Sequence, residues 1–142
     1  MSKSVVPVPV LFVCIGNSCR SQMAEAFARH THQGIMRPSS AGIAPAPIIQ
    51  PETISVMTAK GLSLDGQCPK HIQAVPADSI DYIVNMSGSS ALAHLPQFRG
   101  RNLMWHVDDP MGHPLEVYTR VRDQIEQLVN KLAKNLENLH AR

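Results

Sequence analysis

Five residues separate Cys14 from Arg20 in the stretch VLFVCIGNSCRSQMAEAF, residues 10–27. A thiolate and a guanidinium on one short loop can surround a single anion. The guanidinium fork grips two oxygens of a tetrahedral oxyanion, a geometry that lysine does not reproduce. Between the pair, Gly16 and small polar side chains leave the N–H groups of Ile15, Gly16, Asn17, Ser18 and Cys19 able to turn inward. Inward N–H groups followed by a helix N-terminus make an anion cradle. The positive field of such a cradle favours thiolate over thiol, and the thiolate is the nucleophile. Ser21 adds a hydroxyl that can donate to the sulfur. Nucleophilic attack on a bound oxyanion is the chemistry expected. The competing reading makes Cys14 a small buried hydrophobe at a strand end.

The neighbouring elements favour the cradle. Val8–Val13 is a short apolar run that suits a strand buried on both faces of a parallel sheet, with Pro9 placing its start outside the regular ladder. From Ser21, the residues Met23, Ala24, Phe27 and Ala28 recur at helical spacing, and Gly34 ends the segment. Open parallel sheets bind ligands beyond the carboxyl ends of their strands, where this loop falls. Further on, IMRPSSAGI reads as a strand and PETISVMTAKGL as a helix punctuated by Pro51 and Gly61. DYIVNM and NLMWHV read as two more strands, with SSALAHLP a short helix between them. Val117, Val121, Ile125, Leu128, Leu132, Leu136 and Leu139 form one apolar stripe of a long final helix. Strands alternating with helices predict an α/β fold with a parallel sheet.

The bulk properties set limits. A length of 142 residues fits one domain spanning 1–142. A net charge of +2 without a long basic run points away from nucleic acid and leaves a small anionic substrate compatible. Three cysteines are too few, and odd in number, for a secreted disulfide framework, so reduced thiols in a cytoplasm are expected. The apolar run near the N-terminus is broken by Pro7 and Pro9 and reads as a strand, not a signal peptide. No apolar segment approaches the roughly 20 residues of a membrane span. His106 and His113 lack metal-ligand company, and neither a metal nor a cofactor is expected.

VCIGNSCRSQMAE resembles the low-molecular-weight protein tyrosine phosphatases and the arsenate reductases that share their fold. The order of SSAGI (39–43), DYIVNM (81–86), DDP (108–110) and the final helix extends the resemblance over nearly the whole chain. It implies a three-layer α/β/α fold on a four-stranded parallel sheet, with the phosphate-binding loop after the first strand. It implies Cys14 as nucleophile, Arg20 as oxyanion clamp and Ser21 as thiolate stabiliser. Asn17 and Ser40 would brace the loop. Asp109, before Pro110, would be the general acid, with Asp108 read as a solvated loop carboxylate. Cys19 would be either a reversible disulfide partner guarding Cys14 or a buried structural thiol. Cys68 is read as a partly buried loop cysteine, with a redox role the alternative.

The resemblance leaves two activities in view. Every residue needed to hydrolyse a phosphomonoester through a cysteinyl-phosphate is present, so phosphatase chemistry is the first expectation. Arsenate has the shape and charge of phosphate, but its reduction needs a second thiol. Where the thioredoxin-coupled reductases carry that cysteine this chain has Ser87, so the alternative is an arsenate reductase using an external thiol or a glutaredoxin-like partner. Met111 and Gly112 follow the Asp-Pro pair where the phosphatases usually carry two tyrosines, so a strong slot for phosphotyrosine is not expected. A third reading, a non-catalytic anion-binding module, is disfavoured by the intact set of Cys14, Arg20 and Asp109.

Overall fold

The computed structural model describes residues 7–140. Residues 1–6, the first part of the run read above as no signal peptide, and residues 141–142 lie outside the described residues. Four strands form one parallel sheet: β1 (Val8–Cys14), β2 (Met36–Gly42), β3 (Tyr82–Asn85) and β4 (Arg101–Met104), in the order β2-β1-β3-β4. The helices are α1 (Arg20–Thr31), α2 (Pro51–Ala59) and α3 (Leu115–His140). Among the described residues no helix is long and apolar enough to cross a membrane.

β1 is central and buried on both faces, which is why its sequence is continuously apolar. Alternate residues serve two cores. Val8, Val10, Phe12 and Cys14 pack with residues of α1, α2 and α3, including Met23, Phe27, Met57, Tyr118 and Ile125. Leu11 and Val13 face Ala41, Ile72, Val75, Ile83 and Leu95. That second layer is made of two short 3-10 turns, Ile72–Ala74 and Ala77–Ser79, and of the segment 89–98. The helix expected at SSALAHLP is absent. His94 and Leu95 instead bond back three residues, to Ala91 and Leu92, as isolated turns. Eight residues ending in proline are too few to offset helix nucleation without continued packing.

Pro9 lies within β1, registered against Arg37, rather than ahead of the ladder as its sequence suggests. Its carbonyl accepts Asp81 N–H at 3.0 Å, so its missing donor also faces the β3 side, one residue before β3 pairing begins at Val10. No sheet bond is therefore lost. Trp105, expected inside the fourth strand, lies one residue past β4 and packs its ring 5.9 Å from Phe12. The stripe on α3 is also shifted. Tyr118, Val121, Ile125, Val129, Leu132 and Leu136 are buried, whereas Leu139 is exposed. A helix of 26 residues is about 39 Å long and outruns the body of a small domain.

Gly100 has no room for a side chain: a Cβ there would lie 2.1 Å from Asp81 O and 2.6 Å from Phe98 Cζ. Arg101 N–H bonds the same Asp81 carbonyl at 3.0 Å where β4 joins β3. Gly100→Ala is expected to lower stability by about 2–3 kcal/mol, or roughly 6–10 °C in Tm. Thermal unfolding checks this, and an unchanged Tm would contradict it.

Candidate active site

The loop between β1 and α1 curls beyond the carboxyl ends of the strands. Its carbonyls all point outward to donors elsewhere. Cys14 O accepts Ile43 N–H at 3.2 Å, Ile15 O accepts Ala44 N–H at 2.9 Å, and Gly16 O accepts Ala46 N–H at 2.9 Å. Asn17 O accepts Gln22 Nε2 at 2.9 Å, while Ser18 O accepts Gln50 N–H and Thr53 Oγ1, each at 3.1 Å. Among the described residues, no N–H of residues 15–19 donates to a main-chain or side-chain acceptor of the protein. With the carbonyls committed outward, the N–H groups and the start of α1 are left for an anion.

Two local features make the curl possible. Asn17 has φ +50°, the only positive φ at a non-glycine position among the described residues. Asparagine tolerates that conformation better than most side chains. Gly42, the last residue of β2, pairs with Cys14 and packs directly on the loop. A Cβ at Gly42 would sit 2.7 Å from Ile15 O and 3.0 Å from Asn17 N, so only glycine leaves the loop in place. Gly42 is a site residue that the motif did not single out, although SSAGI at the end of the neighbouring strand was a usable signal.

Cys14 is buried, with its Sγ 2.9 Å from Ser21 Oγ. Ser21 Oγ accepts Asn17 Nδ2 at 2.7 Å, and Asn17 Oδ1 accepts the Lys70 main-chain N–H at 2.9 Å. The main-chain donor fixes which end of the Asn17 amide faces Ser21. Because the hydroxyl oxygen already accepts from that amide, its own proton is free to point at the sulfur. This arrangement suits a thiolate acceptor.

Arg20 is buried and held from the far side. Its Nη1 donates to Met86 O at 2.6 Å and Val107 O at 3.0 Å, joining the end of β3 to the loop after β4. Nη2 lies 3.7 Å from Asp109 Oδ2, and the buried Nε has no hydrogen-bond partner. A buried N–H without an acceptor is costly in a closed interior, and a bound oxyanion would satisfy it. Asp109 is 48 % exposed at its side chain and accepts Met111 N–H at 3.0 Å, ahead of a buried Pro110. Asp108 is exposed and has no ion pair among the described residues. A Cβ built on Gly16 would lie 3.3 Å from Ser18 Oγ and 3.9 Å from both Met111 Cε and Ala46 Cβ, so its three nearest neighbours are a hydroxyl, a thioether methyl and a methyl.

Other expected site residues fall differently. Ser40 does not bond the loop: its Oγ donates to Glu25 Oε1 at 2.5 Å and its carbonyl accepts Lys70 Nζ at 3.0 Å. β2 holds the Ser40 hydroxyl toward the buried face of α1, where Glu25 also pairs with Arg29. Cys68 is exposed rather than partly buried, on the wall of a groove of about 930 Å³ with Ile48, Ile54 and Leu64. That groove is separate from the loop's inner face, none of whose residues line it. His106 and His113 are exposed, and no group of His, Cys, Asp and Glu among the described residues could hold a metal ion. Phe98, the loop aromatic, packs against the second core.

Cys19 is buried and free. Burial pushes its thiol up from the ordinary 9.0, against hydrogen bonds with Thr53 and Ser18 that pull it down. At neutral pH it is therefore held as a thiol, a slow nucleophile. Tyr118 of α3 lies beside it, and burial, reinforced by Cys19 and Glu52, raises the phenol from 10.0 to about 12. A folded-state value above the unfolded one contributes stability below pH 10 that is lost as pH rises toward 12. The wild-type Tm is expected to fall steeply across that window, and Tyr118→Phe to flatten the fall. Equal slopes for the two proteins would contradict the assignment.

A family model described as low molecular weight phosphotyrosine protein phosphatase matches residues 9–141. A glutaredoxin arsenate reductase of Synechocystis sp. is 34% identical over 125 residues, covering 87% of this chain and 94% of that protein. A solved arsenate reductase in a phosphate-binding state superposes with a TM-score of 0.81 at 31% identity, covering 91% of this chain and 98% of the other. The YwlE arginine phosphatase of Geobacillus stearothermophilus has a TM-score of 0.83 at 24% identity, over 95% and 96% of the two chains, a likeness of fold.

Proposed function

We propose that this chain, which belongs to the low molecular weight phosphotyrosine protein phosphatase family, is an arsenate reductase that draws its reducing thiols from outside the chain. The observation that carries oxyanion capture is the loop itself, with five carbonyls bonded outward and the Arg20 Nε buried without a partner. Arsenate is favoured over an aryl phosphate by the arsenate reductases among its relatives and by the neighbours nearest Gly16, which are Ser18, Ala46 and Met111 and not aromatic rings.

In this mechanism the Cys14 thiolate bonds to arsenic, and one arsenate oxygen leaves as water with a proton from Asp109. Arg20 and the loop N–H groups carry the charge on the remaining oxygens. An external thiolate then attacks Cys14 Sγ. The S–As electron pair stays on arsenic, which departs as arsenite, and Cys14 is left in a mixed disulfide. A second external thiol releases Cys14 and carries off the disulfide, so two thiols supply the two electrons. The source is external because Ser87 stands where an internal relay would begin. Its hydroxyl is spent on Asn85 Oδ1 at 2.7 Å and Ser89 O at 3.0 Å. Cys19 is close but held as a buried thiol.

Phosphomonoester hydrolysis is the second reading, favoured by Asp109 standing 3.7 Å from the Arg20 guanidinium, in position to protonate a leaving oxygen and then activate water. Parallel assays separate the two. Arsenate reduction is expected with glutaredoxin and glutathione, and little with thioredoxin alone. Hydrolysis of p-nitrophenyl phosphate without arsenate turnover in any thiol system would reverse the order.

A further inference from the structure

Lys70 lies 56 positions from Cys14 and outside its loop, yet it is bonded to the site's surroundings at both its main chain and its side chain. Its N–H donates to Asn17 Oδ1 at 2.9 Å, and its carbonyl accepts Gly42 N–H at 2.8 Å. Its ammonium donates to Ser40 O at 3.0 Å and, more weakly, to Cys68 O at 3.4 Å. A second route reaches Asn17 from the same segment. Gln67 Nε2 donates to Gln22 Oε1 at 2.7 Å, and Gln22 Nε2 donates to Asn17 O at 2.9 Å. Arg29 Nη1 fixes the Gln67 amide by donating to its oxygen at 2.5 Å. Both routes end on the residue with a positive φ.

From this arrangement we infer that Lys70 is a positioning residue for Cys14, its ammonium clamping segment 67–70 to β2 so that its own N–H sets the Asn17 amide. The chain of consequence is short. The Lys70 N–H holds Asn17 Oδ1, which presents Nδ2 to Ser21 Oγ, which directs the hydroxyl proton to Cys14 Sγ. Without the ammonium, segment 67–70 keeps its bond to Gly42 but loses its side-chain anchor on Ser40. The Lys70 N–H is then held less firmly against Asn17 Oδ1, and the Asn17 amide and Ser21 hydroxyl are less strictly aimed at the sulfur. The inference rests on the reading of Cys14 as the nucleophile and is indifferent to which oxyanion it attacks.

The test uses alkylation of Cys14 by iodoacetamide at pH 7, read by peptide mass spectrometry in a Cys68→Ser background so that the exposed thiol consumes no reagent. Lys70→Met is expected to slow the reaction roughly fivefold, the equivalent of about one net hydrogen bond. Lys70→Arg is expected to restore most of the rate. In a Ser21→Ala background Lys70→Met is expected to add nothing, because the route runs through the Ser21 hydroxyl. A rate unchanged by Lys70→Met, or the same fivefold loss without Ser21, overturns the role, whatever happens to Tm. If the methionine variant does not fold, Lys70→Gln carries the test, with a rate expected between those of arginine and methionine. A parent protein whose Cys14 resists the reagent overturns the nucleophile reading and this role together. A reactive parent with an indifferent Lys70 overturns this role alone.

Discussion

Cys14→Ser is expected to abolish arsenate turnover, by roughly 10⁴-fold or more, while leaving the fold and oxyanion binding nearly intact. Serine is close to cysteine in shape, and its hydroxyl can keep the contact with Ser21 Oγ, now 2.9 Å from the sulfur. The outward carbonyl bonds of the loop and the Arg20 anchors do not involve the sulfur at all. A serine oxygen, however, is not ionised near neutral pH and cannot form the mixed disulfide whose formation leaves the electron pair on arsenic. Circular dichroism and calorimetric titration with phosphate would register the retained fold and binding, and a thiol-coupled assay the lost rate. Turnover within tenfold of wild type would mean that another thiol does the chemistry, with Cys19 the first suspect.

Arg20→Lys is expected to cost both rate and stability. One guanidinium does two jobs here. Nη1 bridges Met86 O and Val107 O, which come from different segments, while Nε and Nη2 remain for the anion. A lysine has a single nitrogen and no planar fork, so it can serve one job or the other. A fall of about 10²–10³-fold in kcat/KM is expected, as for other losses of oxyanion donors. Leaving two buried carbonyls short of a donor adds about 1–3 kcal/mol of destabilisation. Asp109→Asn is the control for the 3.7 Å pair, since it leaves both Arg20 anchors untouched. An Arg20→Lys protein with full stability would show that the two carbonyls do not depend on the guanidinium.

Arsenate reduction is proposed ahead of the phosphatase chemistry expected from the sequence chiefly because of the relatives that the chain resembles. Capture needs the loop, and hydrolysis and reduction share it. Beyond capture, arsenate reductases are among the relatives similar over nearly the full chain, and the neighbours nearest Gly16 are a hydroxyl, a thioether methyl and a methyl. Cys19 was open between a redox partner and a structural thiol. Burial raises it, which makes it a poor attacking thiol at neutral pH, in keeping with the external thiols of the proposed mechanism.

By itself the sequence determined what depends on neighbours along the chain. A continuous apolar run followed by a glycine-bearing turn and a helical repeat specifies strand, loop and helix within 24 residues, Val8–Thr31, so Cys14, Arg20 and Ser21 could be read together. The same local periodicity found the parallel α/β order. Where local signals were short they failed: residues 89–96 make turns, Trp105 leaves its strand early, and Leu139 outlasts the core that its spacing implied. Only the tertiary structure decided the partners that hold the loop from a distance. Met86 and Val107 for Arg20, Gly42 beneath Ile15, and Lys70 on Asn17 are brought in by strands and turns that meet at one end of the sheet. Hydrogen bonds of that kind carry no spacing in the chain, because register between parallel strands, not sequence distance, sets which residues come level with Cys14.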